Sequence, residues 1–379
     1  MKVGLLYYQF LDHDGRQRLV GGVETYLTNL AAVCGEMGLG ATIYQWSHGP
    51  FVRNVDGIQV KGMPVCHLPY RKRKDAFLRH VKRELDATTD LVIFGADHLS
   101  VRTTSRRAIA IQHGIACDLP VKYLSASILC RNPVGAALRK LKARRDAIRR
   151  FENCYNRVCV DYNFFNWYRT IVAEERPGNT WIIPNAAAVA GPDQTPTGED
   201  DGAIHVLFAR RFVEFRGTRL FAEVAKRVLE RFPQVKFTFA GEGPDEEWLR
   251  QFFAHEPRVT MTRYLPQESQ SLVSRHHIAV IPSLGSEGTS LSVAEAMGAG
   301  CAVLATCVGG ITNMIIDGYN GLMVMPTAQG LHGGLTRLLS DPALRHRLGS
   351  QGRGTAAAAF SLHDWKQRWK SVLDQVGGL

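Results

Sequence analysis

The sequence predicts an α/β protein of two doubly wound, Rossmann-like domains, each a parallel sheet covered on both faces and facing the other across a cleft. Three observations carry this. Short continuous apolar runs rich in Val and Ile alternate with helical patterns along the chain, as parallel strands buried on both faces require. The runs form two series, separated at residues 186–203 by AAAVAGPDQTPTGEDDGA, which has the small, polar, Pro- and Gly-containing composition of a linker. The chain has 379 residues, more than one hydrophobic core ordinarily organises.

The first run, residues 3–8, reads as a strand. It is too short and too quickly followed by Asp12 and Asp14 for a secretion signal. Further strands are expected at 41–46, 91–95, 108–112, 158–162 and 181–184. The second series is 204–209, 236–240, 259–262, 278–282, 302–305 and 321–324. Helices are expected between them at 23–37, 218–232, 246–255 and 290–297, with a closing amphipathic helix in FSLHDWKQRWKSVLDQV. No apolar run approaches the ~18 residues of a membrane-spanning helix. The eight cysteines are scattered and form no CxxC pair, which argues against a zinc ribbon and for reduced thiols in a cytoplasmic protein.

The net charge of +11 is unevenly placed. Residues 1–190 hold 27 Lys and Arg against 16 Asp and Glu, and the remainder holds 19 of each. The first half is therefore expected to meet something anionic. Residues 71–85 and 131–155 concentrate the charge. In the second of these, Val134, Ala137, Leu138, Leu141, Ile148 and Phe151 fall on one helical face. Such a helix either packs on its own domain or lies on anionic lipid. Aromatic residues are not interleaved with the basic runs, so nucleic acid is not expected as a partner.

Ligands of open parallel sheets bind outside the carboxyl ends of the strands, so the residues after each strand matter most. After strand 278–282 comes SLGSEGTSLSVAEAM. Glu287 lies just outside a helix N-terminus, and Glu295 lies about six residues in, roughly 9 Å along the axis. Backbone amides at Gly288, Thr289 and Ser290 offer a phosphate seat. One helix edge can thus hold a sugar by Glu287, phosphates at the amides and ribose hydroxyls on Glu295. Two plainer readings stand beside this: Ser292 and Glu295 fit a capping box, and Glu287 fits a solvated loop acid. After strand 204–209, Arg211 and Arg216 lie in the loop and Arg219 in the first helical turn. Cations there oppose the helix dipole, and an anion shared by Arg211 and Arg216 relieves the conflict. A solvated basic loop is the alternative.

These motifs resemble glycosyltransferase family 4, retaining enzymes of the GT-B fold, of the type that builds bacterial cell envelopes and polysaccharides, lipopolysaccharide included. The family's E-x7-E element matches Glu287 to Glu295. Its Gly-Arg-x4-Lys-Gly loop matches Arg211 to Gly217, with Arg210 where Gly is usual and Arg216 where Lys is usual. Gly241 and Tyr264 match regions near the nucleotide base. Gly21 and Gly22 resemble the family's Gly-Gly loop, His113 its sugar-facing histidine, and Asn185 an asparagine at the domain crossover. A packed structural role for His113 and a structural turn at Asn185 are the alternatives.

The resemblance implies residues 1–185 plus a returning helix, 363–379, as an acceptor-binding domain, and 186–362 as a donor-binding domain. It implies transfer from a UDP- or GDP-sugar to a glycan or lipid-linked acceptor, without a metal. A metal role for the Asp12–His13–Asp14 stretch is not expected, since it lies far in sequence from the diphosphate groups. A cytoplasmic enzyme is expected, peripheral on the inner membrane if the basic half meets lipid. Two other classes remain: a different GT-B enzyme such as a UDP-sugar epimerase, and a non-catalytic nucleotide-sugar-binding protein.

Overall fold

A computed structural model describes residues 1–19, 21–86, 90–115, 132–191, 201–285 and 287–378. The apolar runs build two sheets. The first holds β1 (Lys2–Leu6), β2 (Gly40–Ser47), β3 (Phe51–Val55), β4 (Ile58–Pro64), β5 (Leu91–Phe94), β6 (Ala108–Gln112), β7 (Asn156–Cys159) and β8 (Asn179–Ile182). Their order is β3-β4-β2-β1-β5-β6-β7-β8. The second holds β9 (Ile204–Ala209), β10 (Val235–Ala240), β11 (Val259–Thr262), β12 (Ile278–Ile281), β13 (Ala302–Thr306) and β14 (Leu322–Val324), in the order β11-β10-β9-β12-β13-β14. All pairings are parallel except β3 with β4. Strand order reverses between β1 and β5 and between β9 and β12. Crevices for ligands open at such switch points.

The β3–β4 hairpin is absent from the strand reading above. Its turn is Asp56–Gly57, with φ of 52° and 82°, the paired left-handed geometry that favours Asp-Gly in two-residue hairpins. A second difference concerns residues 158–162. Strand β7 ends at Cys159, and the Asp161 carboxylate accepts the Phe164 N–H at 2.7 Å. It thereby caps a helix that begins at Tyr162.

Helices cover both sheets. They are α1 (Gly22–Glu36), α2 (Tyr70–Val81), α3 (Pro133–Phe151), α4 (Tyr162–Ile171), α5 (Thr218–Arg231), α6 (Glu246–Phe252), α7 (Ser269–Val273), α8 (Leu291–Gly298), α9 (Ala328–Ser340), α10 (Pro342–Ala359) and α11 (Leu362–Gly377). The second core is rich in aromatics, with Phe208 5.8 Å from Phe221 and 5.5 Å from Phe239. Helix α11 crosses back onto α1. Trp369, fully buried, donates its indole N–H to the Tyr26 hydroxyl at 2.9 Å. Lys366 and Lys370 reach Glu36 at 2.6 and 2.8 Å.

Candidate active site

The loops after β9 and β12 meet at their switch point. Glu287, in the loop that leads to α8, is 5% exposed. Its Oε1 receives Arg210 Nη2 at 2.5 Å, the Ser283 hydroxyl at 2.5 Å, and Arg216 Nη1. Arg210 Nη1 donates to the same Ser283 hydroxyl at 2.6 Å. Burial by itself raises the Glu287 pKa. The two guanidiniums and the Ser283 hydrogen bond outweigh it and hold the carboxyl below its usual range. Gly217, at φ 80°, lets this loop close: a Cβ there would lie 2.0 Å from the Pro282 carbonyl oxygen. Glu287 is therefore not a solvated loop acid.

The two guanidiniums that share an anion are Arg210 and Arg216, and the anion is Glu287. Arg210 is not among the residues expected to bind an anion. Arg211 is exposed, and its charge acts on Tyr7 and Glu24 of the first domain. Burial raises the Glu24 pKa, while Arg211 and the Tyr7 hydroxyl pull it down. Arg219 pairs with Asp245 at 2.8 Å, which answers its conflict with the α5 dipole locally.

Glu295 lies little more than one turn into α8, beside Leu207, Ala209 and Ser292. Burial pushes its carboxyl up to about 7, against the pull of the neighbouring Ser269 hydroxyl. The capping-box alternative is not formed. The cap residue is Ser290, without a side-chain bond, and the Ser292 hydroxyl donates to the Ala209 carbonyl at 3.2 Å. Tyr264 adjoins Glu295; burial first, then that carboxylate, raises its phenol. Gly241 follows β10 and lies against the Arg210 carbonyl.

The first domain closes on this loop. Thr289 donates its hydroxyl to the Val160 carbonyl at 2.6 Å and accepts the Asn185 N–H at 2.8 Å. Asn185 Nδ2 donates to the Thr289 carbonyl at 2.5 Å. A Cβ on Gly114 would lie 2.5 Å from the Gly288 nitrogen, and the Ser290 N–H points to the Met314 sulfur at 3.1 Å. Gly288, Thr289 and Ser290 thus lie where the first domain packs against the N-terminus of α8. Gly21 caps α1 in an extended conformation, and a Cβ on Gly22 would touch Leu291 at 3.4 Å. The N-termini of α1 and α8 therefore meet across the crevice, and both dipoles favour negative charge between them.

His113 follows β6. Its Nε2 lies 2.8 Å from the Gly95 carbonyl. A carbonyl only accepts, so Nε2 carries the proton and Nδ1 is an acceptor. Burial pushes its pKa down to about 4, partly offset by that hydrogen bond. The ring is neutral at pH 7 and stands edge-on to Tyr26 at 5.2 Å. Asp12 shapes its own loop by accepting the N–H groups of Asp14, Arg16 and Gln17.

Residues 203–341 match the family model of group 1 glycosyl transferases. The matched segment spans the second sheet and its covering helices. Among curated proteins, an α-D-kanosaminyltransferase of Streptomyces kanamyceticus is 28% identical over 185 residues, 48% of this chain and 47% of that protein. A D-inositol 3-phosphate glycosyltransferase of Pseudarthrobacter chlorophenolicus is 31% identical over 165 residues, 40% of this chain and 38% of that one. The chain thus matches less than half the length of these curated relatives. Whole-chain similarity comes from solved structures. Sucrose-phosphate synthase of Thermosynechococcus elongatus superposes with TM-score 0.74 at 18% identity, over 99% of this chain and 98% of its own. The Anabaena protein HepE, in complex with UDP and glucose, gives 0.73 at 16%, over 99% of each. The fold is GT-B, as the resemblance to family 4 implies.

In the matched segment the sequence reading missed Arg210 and Ser283. In the first domain it missed Tyr7 and Glu24. Arg210 occupies the position where the family pattern has Gly, which was its one signal. The basic segments also divide. Residues 71–81 lie on α2, while Arg131 lies outside the described residues. In α3, Phe151 is buried, 5.1 Å from Phe164 and 4.8 Å from Tyr168. Val134, Leu138 and Leu141 stay 70%, 62% and 62% exposed. The expected single apolar face is thus buried at one end only. No helix among the described residues is long and apolar enough to cross a membrane.

Proposed function

We propose that the chain is a retaining glycosyltransferase that moves a sugar from a UDP- or GDP-sugar to a hydroxyl of a glycan or lipid-linked acceptor. The observation that carries this is the Glu287–Arg210–Arg216 cluster at the β9/β12 switch point, with Glu295 on the adjoining helix, inside the matched domain. The diphosphate would lie between the N-termini of α1 and α8, with Gly21 and Gly22 on one side. Arg216 would exchange Glu287 for a phosphate oxygen, Arg211 would add charge from the cleft edge, and Arg210 would stay on Glu287.

Breaking the bond from anomeric carbon to phosphate oxygen leaves positive charge on the sugar and negative charge on the diphosphate. The guanidiniums and amides stabilise the second, so no metal is required of this scheme. Glu287, kept ionised, steadies the first. His113 Nδ1 accepts a sugar hydroxyl, and ionised Glu295 accepts the ribose hydroxyls. The leaving oxygen takes the acceptor proton on the same face, which retains configuration. The basic α2 and the exposed apolar residues of α3 fit a membrane-borne acceptor: Leu138 and Leu141 would enter the headgroup layer and the arginines would meet anionic lipid.

Turnover of labelled UDP- and GDP-sugars tests the reading. Glu287→Gln should abolish sugar release, and Glu295→Gln should mainly raise the donor KM. Wild-type rates in both variants would overturn the assigned roles. A stable nucleotide complex without sugar release would instead indicate a binding protein.

A further inference from the structure

The C-terminal edge of the first sheet carries a row of aromatic rings. Trp46 lies near the end of β2, Tyr8 just past β1, His98 in the short turn Asp97–Leu99 after β5, and Tyr70 opens α2. Trp46 stands 5.7 Å from Tyr70 and 6.3 Å from Tyr8, and Tyr8 stands 5.3 Å from His98. Tyr8 also meets Tyr7 at 4.4 Å, and the Tyr7 hydroxyl reaches Glu24 in the first turn of α1. The row therefore begins at the crevice and runs outward to the basic α2.

Part of it has a plain structural purpose. Trp46 is 5% exposed and belongs to the apolar layer between the sheet and α2, with Phe77. Arg73 lies 6.0 Å over the Trp46 ring while donating to the Leu68 and Cys66 carbonyls at 2.9 and 2.7 Å. Lys74 Nζ donates to the His98 carbonyl at 3.2 Å, which holds the turn that carries His98. Two features exceed this purpose. Tyr70 keeps a large ring 71% exposed at the outer end of the row. The Trp46 indole N–H is buried without a hydrogen-bond partner among the described residues, an unfavourable state that a ligand hydroxyl would relieve.

A pyranose ring has apolar C–H faces that pack on aromatic faces, and a rim of hydroxyls that need partners. The row supplies both. Tyr8 and Tyr70 carry hydroxyls. Burial first, then the charges of Arg150, His113 and Lys74, push the His98 pKa down to about 4, so its ring is neutral and offers one donor and one acceptor. We propose that Tyr8, Trp46, Tyr70 and His98 form a subsite for a pyranose ring, and that this ring carries the acceptor hydroxyl. The receiving hydroxyl then belongs to a sugar rather than to a bare lipid alcohol. The assignment to the acceptor rests on the transferase reading above; the presence of the subsite does not.

The test labels the six tryptophans of the full chain with fluorine and assigns two resonances with Trp46→Phe and Trp365→Phe. The protein is titrated with methyl glucoside, with methyl galactoside and with sorbitol, which has a sugar's hydroxyls without its ring. A saturable Trp46 shift is expected below ~50 mM for at least one glycoside and not for sorbitol. Tyr70 is exposed, so Tyr70→Ala should fold normally, and loss of the ring should weaken binding roughly three- to tenfold. Tyr70→Phe keeps the ring and should bind as wild type does. Absence of a saturable Trp46 shift, an equal response to sorbitol, or unchanged binding in Tyr70→Ala overturns the subsite. A shift at Trp365 in place of Trp46 also overturns it, since Trp365 packs 5.0 Å from Tyr26, beside His113 at the donor end of the crevice. Glycoside binding by a chain that turns over no labelled UDP- or GDP-sugar upholds the subsite and overturns its assignment to the acceptor. Turnover without glycoside binding overturns the subsite and leaves the transferase reading standing.

Discussion

Replacing Arg210 by Met removes one of two cations from a carboxylate with almost no access to water. The Arg210 and Glu287 side chains are 7% and 6% exposed. Breaking a buried pair from one side costs about 3–5 kcal/mol, because the remaining charge is left uncompensated. Arg216 and Ser283 stay on Glu287, which places the expected loss at the lower end, about 3 kcal/mol. With an m-value of ~3 kcal/mol/M, that is a fall of roughly 1 M in the urea midpoint at pH 7.

The pH dependence has a definite sign. A carboxyl whose folded pKa lies below its unfolded value stabilises the fold above the unfolded value, and loses that contribution as pH falls through the folded one. Arg210→Met raises the folded pKa of Glu287, so the variant's deficit should shrink in acid. The double variant Arg210→Met, Glu287→Gln should recover most of the loss, since it leaves no unpaired charge. Urea titrations of wild type, Arg210→Met, Glu287→Gln and the double variant at pH 7 and near pH 4 measure all of this. A single-variant cost under ~0.5 kcal/mol, or a double variant no more stable than the single, would refute the buried-pair account.

Three further outcomes are expected. His113 titrates near 4 when folded, against an ordinary histidine value of 6.5. Stability should therefore fall as pH drops from about 6.5 toward 4, by at most about 3 kcal/mol from this residue, and His113→Gln should flatten that slope in pH-scanned thermal unfolding. Glu295 has the opposite sign, since its folded pKa of about 7 lies above the ordinary glutamate value of 4.5. Its contribution is present below 4.5 and lost as pH rises through 7, so Glu295→Gln should gain stability relative to wild type at pH 8 in calorimetry. Thr289→Val leaves the Val160 carbonyl and the Asn185 N–H without their hydroxyl partner, and should lower stability by about 1–3 kcal/mol, read as a lower Tm with secondary structure unchanged.

Much of the architecture could be read from the chain because parallel strands buried on both faces leave an unmistakable run of Val, Ile and Ala. Runs such as 204–209 and 278–282 required no tertiary information. The β3–β4 hairpin was equally local, and Asp56–Gly57 announced it. It escaped because polar residues interrupt the apolar run in both strands, β3 lying largely exposed at the sheet edge. The site was legible in part. Glu287 and Glu295 are fixed by spacing along one element, whereas the arginine partners of Glu287 lie 77 and 71 residues away in the chain. Arg210 and Arg211 are neighbours with the same chemistry. A strand end sends alternate side chains to opposite sides, and only the folded register shows that Arg210 faces Glu287 while Arg211 faces the first domain. In α3, helical spacing identified an apolar stripe correctly, but spacing does not report where the underlying layer ends.

The return of α11 onto α1 has a consequence for synthesis. Chain order and spatial order disagree: Tyr26 and Glu36 leave the ribosome more than three hundred residues before Trp369, Lys366 and Lys370 arrive to cover them. The second lobe has all of its own strands behind it before that moment, and can mature on its own. The earlier-made lobe must wait with one flank uncovered, so a nascent or 3′-truncated product should expose that flank to chaperones and proteases even though every residue of its sheet has already been made.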